Sequence, residues 1–121
     1  MKFLIVDDEP DMLAIVGAVL RRSGGHQTVE IEDPLQASGV ARRERPDAIL
    51  MDVQMDGMDG PEVLTLLRQD PATSAIPVIF VTGGADPGES ARLRKLGARG
   101  VIAKPISPAT LAVQVRAILN S

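Results

Sequence analysis

The sequence has no cysteine, no tryptophan and no tyrosine, and Phe3 and Phe80 are its only aromatic side chains. Without cysteine, disulfides, thiolate catalysis and cysteine-based metal sites are excluded together, and a reducing compartment suits such a chain. Two phenylalanines offer no stacking platform for single-stranded nucleic acid. No apolar run approaches the roughly 20 residues that a membrane-crossing helix needs. The opening stretch Met1–Val6 carries one lysine and a short apolar run that is ended by acids, too short for the hydrophobic region of a secretory signal. The expected location is therefore cytoplasmic, with Met1 as a natural start and no membrane partner. Charge of one sign is not in large excess either. A net charge of −3 and a pI of about 5.1 give no electrostatic reason to expect direct contact with nucleic acid.

What is present is a regular alternation. Its 121 residues suit one domain with a real core, and residues 1–121 are read as one, since repeats, low-complexity tracts and linkers are missing. Short apolar runs at Phe3–Val6, Thr28–Ile31, Ala48–Met51, Val78–Val81 and Val101–Ala103 are mostly rich in Val and Ile, as doubly covered parallel strands are. Only Thr28–Ile31 alternates with polar residues, which marks an edge strand. Between the runs, Met12, Ile15, Val16, Val19 and Leu20 follow helical spacing, as do Leu111, Val115, Ile118 and Leu119. Val63, Leu64 and Leu67 mark another helix, and Leu93 with Leu96 a shorter one. The segment around Leu35, with Gly39 inside it, is the weakest helical pattern. Pro10, Pro34, Pro61, Pro87 and Pro108 fall where helices should begin, because a first-turn position has no use for the missing N–H. Asp33, Asp86 and Ser107 stand one residue earlier as caps, with Glu89 completing a capping pair for Asp86. Gly24, Gly25 and Gly97 suit helix exits. Five strand–helix units predict an α/β fold, a doubly wound parallel sheet with helices on both faces.

Such sheets bind ligands at the carboxyl ends of their strands. The residues there are Asp7 and Asp8 after the first run, Asp52 after the third, Thr82 after the fourth, and Lys104 followed by Pro105 after the fifth. Singly, each has a plain reading: Asp8 or Glu9 as a helix cap, Asp52 as a turn acid, Thr82 as a strand end, Lys104 as a surface lysine. Together they do not. Carboxylates about 4 Å apart repel by on the order of 1 kcal/mol in water and about 4 at an effective dielectric of 20. A hard cation relieves that repulsion, and an oxygen-only cluster with room for water suits Mg²⁺. Lys104 and Thr82 then supply a charge and a hydroxyl for phosphate oxygens, and a carboxylate beside them can serve as a phosphoryl nucleophile.

Lys2–Pro10 (KFLIVDDEP), Asp47–Gly60 (DAILMDVQMDGMDG), Ile76–Gly83 (IPVIFVTG) and Gly100–Pro105 (GVIAKP) resemble, in order and spacing, the receiver domains of two-component response regulators, the chemotaxis regulator among them. The resemblance spans essentially the whole chain. It implies a flavodoxin-like five-stranded sheet of order 2-1-3-4-5 with five helices, and a phosphorylatable receiver that catalyses only its own phosphorylation and dephosphorylation. It further implies Asp52 as phosphoacceptor, and Asp8 and Asp52 as Mg²⁺ ligands with the backbone carbonyl of Gln54 and with Asp7 close behind. Lys104 would pair with phosphoryl oxygens and Thr82 would turn its hydroxyl towards them. The bond between Lys104 and Pro105 is similar to one that is cis in the family. A phosphohistidine on a sensor histidine kinase or phosphotransfer protein would be the donor. The downstream target would meet the face made by the fourth helix, fifth strand and fifth helix, where Arg92, Lys95 and Arg99 lie.

Some positions depart from the family. Val101 stands where many receivers carry a rotating aromatic, so coupling is expected to run through backbone or loop shifts. Asp56 replaces a usual proline and Ile106 a frequent phenylalanine. Gly83 and Gly84 after Thr82 leave no side chain over the phosphate, which predicts a short-lived phosphoryl group. His26, the sole histidine, reads as a bystander in a turn. A receiver-like interaction module that does not cycle phosphate is the alternative, kept open by Val101 and Asp56. An aspartate phosphatase is disfavoured by Gln54, where a second acid is wanted. A dinucleotide-binding fold fails at Asp7-Asp8-Glu9-Pro10, which offers acids where a glycine-rich loop is needed.

Overall fold

A computed structural model describes residues 1–84 and 86–121. Strands β1 (Lys2–Val6), β2 (Gln27–Ile31), β3 (Ala48–Asp52), β4 (Val78–Thr82) and β5 (Gly100–Ala103) pair in parallel in the order β2-β1-β3-β4-β5. That is the order the family resemblance implied. Helices α1 (Pro10–Arg22), α2 (Ala37–Glu44), α3 (Gly60–Gln69), α4 (Pro87–Lys95) and α5 (Leu111–Leu119) fill the crossovers, and a 3₁₀ turn at Pro34–Gln36 precedes α2.

Alternate residues of a strand face opposite sides of the sheet, so each strand feeds two cores. Phe3, Ile5, Leu50, Ile79, Val81 and Ile102 pack against Leu13, Val16 and Leu20 of α1 and Leu111 and Val115 of α5. Leu4, Val6, Ile49, Met51 and Phe80 pack against α2, α3 and Leu93 of α4 on the other side. Burying each of these large side chains contributes about 1.5–3 kcal/mol. The strands β3 and β4 are buried along their whole length, whereas β2 is half-exposed at its edge. Registry pairs such as Asp52 with Val81 and Thr82 with Ala103 bring the strand ends level.

Several local expectations need correction. Ile15, Leu35 and Leu96 are exposed, while Leu13, which the spacing argument passed over, lies in the core. Pro10 and Pro87 do open their helices, but Pro61 is the second residue of α3, because Asp59 caps one residue earlier than the proline suggested. Asp59 accepts the Glu62 N–H at 2.8 Å and Glu62 answers by accepting the Asp59 N–H at 3.1 Å, a reciprocal cap that the sequence reading missed. Asp33 accepts the Leu35 N–H and so caps the 3₁₀ turn. Asp86 caps α4 through the Glu89 N–H at 2.8 Å, but the Glu89 carboxylate is bound to Arg92 instead of closing the pair. Ser107 and Pro108 begin only a turn, and α5 starts at Leu111 with Thr110 before it.

Candidate functional site

Strand ends supply the site, and short loops aim its side chains. Asp7 follows β1 directly; its N–H donates to the Ile31 carbonyl at 3.2 Å, and its Oδ1 accepts the Glu9 N–H at 2.9 Å. That Asx turn fixes the buried carboxylate at the mouth of α1. Asp8 reaches the other way, its Oδ2 accepting the Asp56 N–H at 2.9 Å. The loop after β1 is thereby tied to the loop after β3. Asp56, the odd residue where a proline was usual, enters this tie through its backbone; a proline there would have no N–H to give.

Asp52 ends β3 and is 7% exposed. Just beyond it, the Gly60 N–H donates to the Val53 carbonyl at 2.7 Å. A Cβ on Gly60 would stand 2.4 Å from the Asp52 carbonyl oxygen and 2.6 Å from Phe80 Cε1, so only glycine lets α3 start this close to the strand. Thr82 ends β4, buried, with its Oγ1 accepting the Gly84 N–H at 3.1 Å. Lys104 follows β5; its N–H donates to the Thr82 carbonyl at 2.9 Å and its bond to Pro105 is cis.

The Lys104 Nζ lies 3.3 Å from Asp52 Oδ2, 3.6 Å from Asp7 Oδ2 and 3.8 Å from Glu9 Oε1. Burial alone would lower the lysine's proton affinity, but Asp7, Asp52 and Glu9 outweigh it and hold the ammonium above its ordinary range. Asp7 moves upward too: burial dominates, and the Glu9 N–H and Lys104 offset it only in part, with Asp52 and Glu9 adding repulsion. The structure therefore brings Asp7, Asp8, Asp52, Thr82 and Lys104 to one edge of the sheet, as the sequence suggested. Asp52, Thr82, Lys104 and the exposed Gln54 line a single cleft of about 770 Å³.

Glu9 was missed as a site residue. Asp7, Asp8, Glu9 and Asp52 each present a carboxylate oxygen, all within 4.8 Å of one another. Read as a helix cap, Glu9 does precede α1, but its side chain makes no cap bond there; the run of three successive acids was the available signal. An oxygen-only group of carboxylates fits a hard divalent cation such as Mg²⁺. His26 lies away from this edge. It sits against Phe3 with ring centroids 5.2 Å apart and its Nδ1 is 3.1 Å from the Met1 amine.

The family described as response regulator receiver domain matches residues 3–116. The chain is similar to the protein PilH of Pseudomonas aeruginosa, with 36% identity covering 98% of this chain and 97% of that one. It spans about half the length of the DNA-binding response regulators that it also matches. Among solved structures, the chemotaxis response regulator CheY4 of Vibrio cholerae superposes with a TM-score of 0.89 at 27% identity, covering 97% of each chain. The receiver domain of sensor histidine kinase PA1611 from Pseudomonas aeruginosa, described with a magnesium ion coordinated in its active-site cleft, gives 0.86 at 30% identity. That match covers 99% of this chain and 98% of that one.

Proposed function

Because this chain belongs to the receiver-domain family of two-component response regulators, we propose that Asp52 is its phosphoacceptor, working with Lys104 and Thr82 beside a Mg²⁺ site. The chain is a phosphorylatable signalling receiver, and receivers of this family bind Mg²⁺ in an acidic cleft. The finer assignments are ours. Asp8 and Asp52 would hold the ion by side chains, with the Gln54 backbone carbonyl as a further ligand and Asp7 close behind. When bound, Mg²⁺ neutralises charge that would otherwise oppose an approaching phosphate.

An Asp52 oxygen attacks phosphorus in line; the donor's P–N bond breaks and the imidazole leaves as the acyl phosphate forms. Lys104, already within 3.3 Å of the Asp52 carboxylate, pairs with the transferring oxygens and stabilises their charge. Thr82 exchanges its bond with the Gly84 N–H for one donated to a phosphoryl oxygen, which carries the change into the loop before α4. Hydrolysis reverses the modification when water attacks phosphorus and the Asp52 carboxylate departs. The donor is a sensor histidine kinase or histidine phosphotransfer protein, and the downstream protein docks on the α4–β5–α5 face. Among the described residues no helix is long and apolar enough to cross a membrane, and we place the reaction in the cytoplasm, with residues 1–121 acting as one unit.

The observation that carries this reading is the Lys104 ammonium held against the buried Asp52 carboxylate at the acidic strand edge. The test is incubation with acetyl phosphate and Mg²⁺, followed by a phosphate-affinity gel beside Asp52→Asn. A retarded band that requires Mg²⁺ and disappears in the variant is expected. A band that persists in Asp52→Asn, or none in the unmodified protein, would overturn the assignment.

A further inference from the structure

The cleft above Asp52 does not end at the reacting residues. Gly83 and Gly84 form part of its wall, and beyond them the lining continues to Glu89 and Arg92 on α4. A side chain on Gly83 would meet nothing within 4 Å, and one on Gly84 only Thr82 Oγ1 at 3.9 Å. Neither glycine thus places a side chain in the cleft. Glu89 and Arg92 face each other one helical turn apart, with Nε 3.1 Å from Oε2 and Nη2 2.8 Å from Oε1.

Two properties make this pair a switch and not a fixed brace. It is exposed, the arginine side chain 53% and the glutamate 27%, so little free energy holds it. It also shares the cleft with acids, Asp59 and Asp86 among them, while Lys104 is already engaged by Asp7, Glu9 and Asp52. Phosphorylation replaces the single negative charge of the Asp52 carboxylate with the roughly 1.5–2 of a phosphoryl group, in a cleft where Lys104, which pairs with that group, must also balance Asp7 and Glu9. The loosely held guanidinium is the next cation along the wall, and its planar fork suits phosphoryl oxygens.

We propose that Arg92 is a phosphoryl-contacting residue: on modification of Asp52 it leaves Glu89 for the new anion, and Glu89 acts as its competitor in the unmodified state. The exchange draws the middle of α4 towards the site, which gives this chain a route into the α4–β5–α5 face without an aromatic at Val101. This rests on Asp52 being the phosphoacceptor.

The experiment uses beryllium fluoride with Mg²⁺, an equilibrium mimic of the acyl phosphate, titrated into the whole protein and followed by NMR. Arg92→Gln should bind it about three- to fivefold more weakly, the scale of one exposed charge pair, and Arg92→Lys should recover part of the loss. Glu89→Gln should bind it more tightly, since it frees the arginine. The Arg92 Nε–H signal of the unmodified protein should shift on addition. Unchanged affinities in Arg92→Gln and Glu89→Gln, or a weakening in both, would overturn the exchange while leaving Asp52 intact. Failure of the unmodified protein itself to bind the mimic, matching Asp52→Asn, would instead overturn the phosphoacceptor reading and the exchange with it.

Discussion

A buried carboxylate costs stability unless its partners compensate fully, and those of Asp7 do not. Its proton affinity is raised above the ordinary aspartate value of 3.8, chiefly by burial. The folded protein then binds more protons than the unfolded chain above that pH. Stability contributed by this group is therefore lost as pH rises from 3.8 through the raised value, and the loss persists at neutral pH. Asp7→Asn should accordingly stabilise the Mg²⁺-free protein at neutral pH by about 0.5–2 kcal/mol, the scale of a single stabilising substitution. Thermal melts across the pH range check this: the advantage should shrink towards pH 3.8 and also when Mg²⁺ is added. Gly84 invites a second test. The open space at its Cβ position lets Gly84→Ala and Gly84→Glu fold normally, and both should prolong the phosphoryl lifetime by hindering water. Equal lifetimes in a gel time course would show that the missing side chain is not the cause.

Elements differ in how firmly they are held, and α4 is held least. Leu93 is its one buried side chain, whereas α3 buries Val63, Leu64 and Leu67. Beyond Leu93, the Arg68 guanidinium clips the end of α4 to its neighbours. It donates to the Gly97 carbonyl at 2.9 Å and to the Ile76 carbonyl at 2.9 Å. Leu93→Ala should cost about 2–5 kcal/mol and Asp59→Ala, which removes the reciprocal cap of α3, about 1 kcal/mol. Hydrogen exchange separates them: the first should expose α4 amides preferentially, the second the first turn of α3. Helix existence was legible because apolar residues recur at helical spacing, but details of the faces were not. Ile15 fits the periodicity of α1 yet faces solvent, because the sheet beneath α1 reaches only one arc of it. Pro108 looked like a helix start, but the next apolar side chain that meets the core is Leu111, so regular packing begins there.

Across the whole molecule, charge is divided unevenly. From residue 87 onward stand Arg92, Arg94, Lys95, Arg99, Lys104 and Arg116 against Glu89 alone, while the acids gather earlier in the chain. Of the three cations expected to meet a partner, Arg92 is paired with Glu89, and Arg99 donates to the Leu119 carbonyl at the end of α5. Lys95 makes no ion pair among the described residues. Lys95→Glu should therefore weaken binding of the downstream target, with the change growing as salt is lowered, and a titration at two ionic strengths would detect it. At the acidic edge the corresponding expectation concerns the metal. Mg²⁺ at a hundred times its Kd should stabilise the fold by about 2.7 kcal/mol, and removal by a chelator should reverse this in the native protein but matter far less in Asp52→Asn.

The amino-acid sequence alone determined the alternation of strands and helices, the edge position of β2, and the set Asp7, Asp8, Asp52, Thr82 and Lys104 at the strand ends. Those features are local: a short apolar run, and the polar residue that ends it, are adjacent in the chain. Tertiary structure alone decided which groups meet. Glu9 joins the carboxylates because the Asx turn at Asp7 brings its carboxylate to Lys104, Asp8 ties to Asp56 across 48 residues, and Gly60 is required by a backbone that passes within van der Waals distance. Arg92, from α4, lines the same cleft as Asp52, Thr82 and Lys104. Such contacts join residues far apart in sequence, and their distances follow from how helices settle on the sheet, which no periodicity encodes.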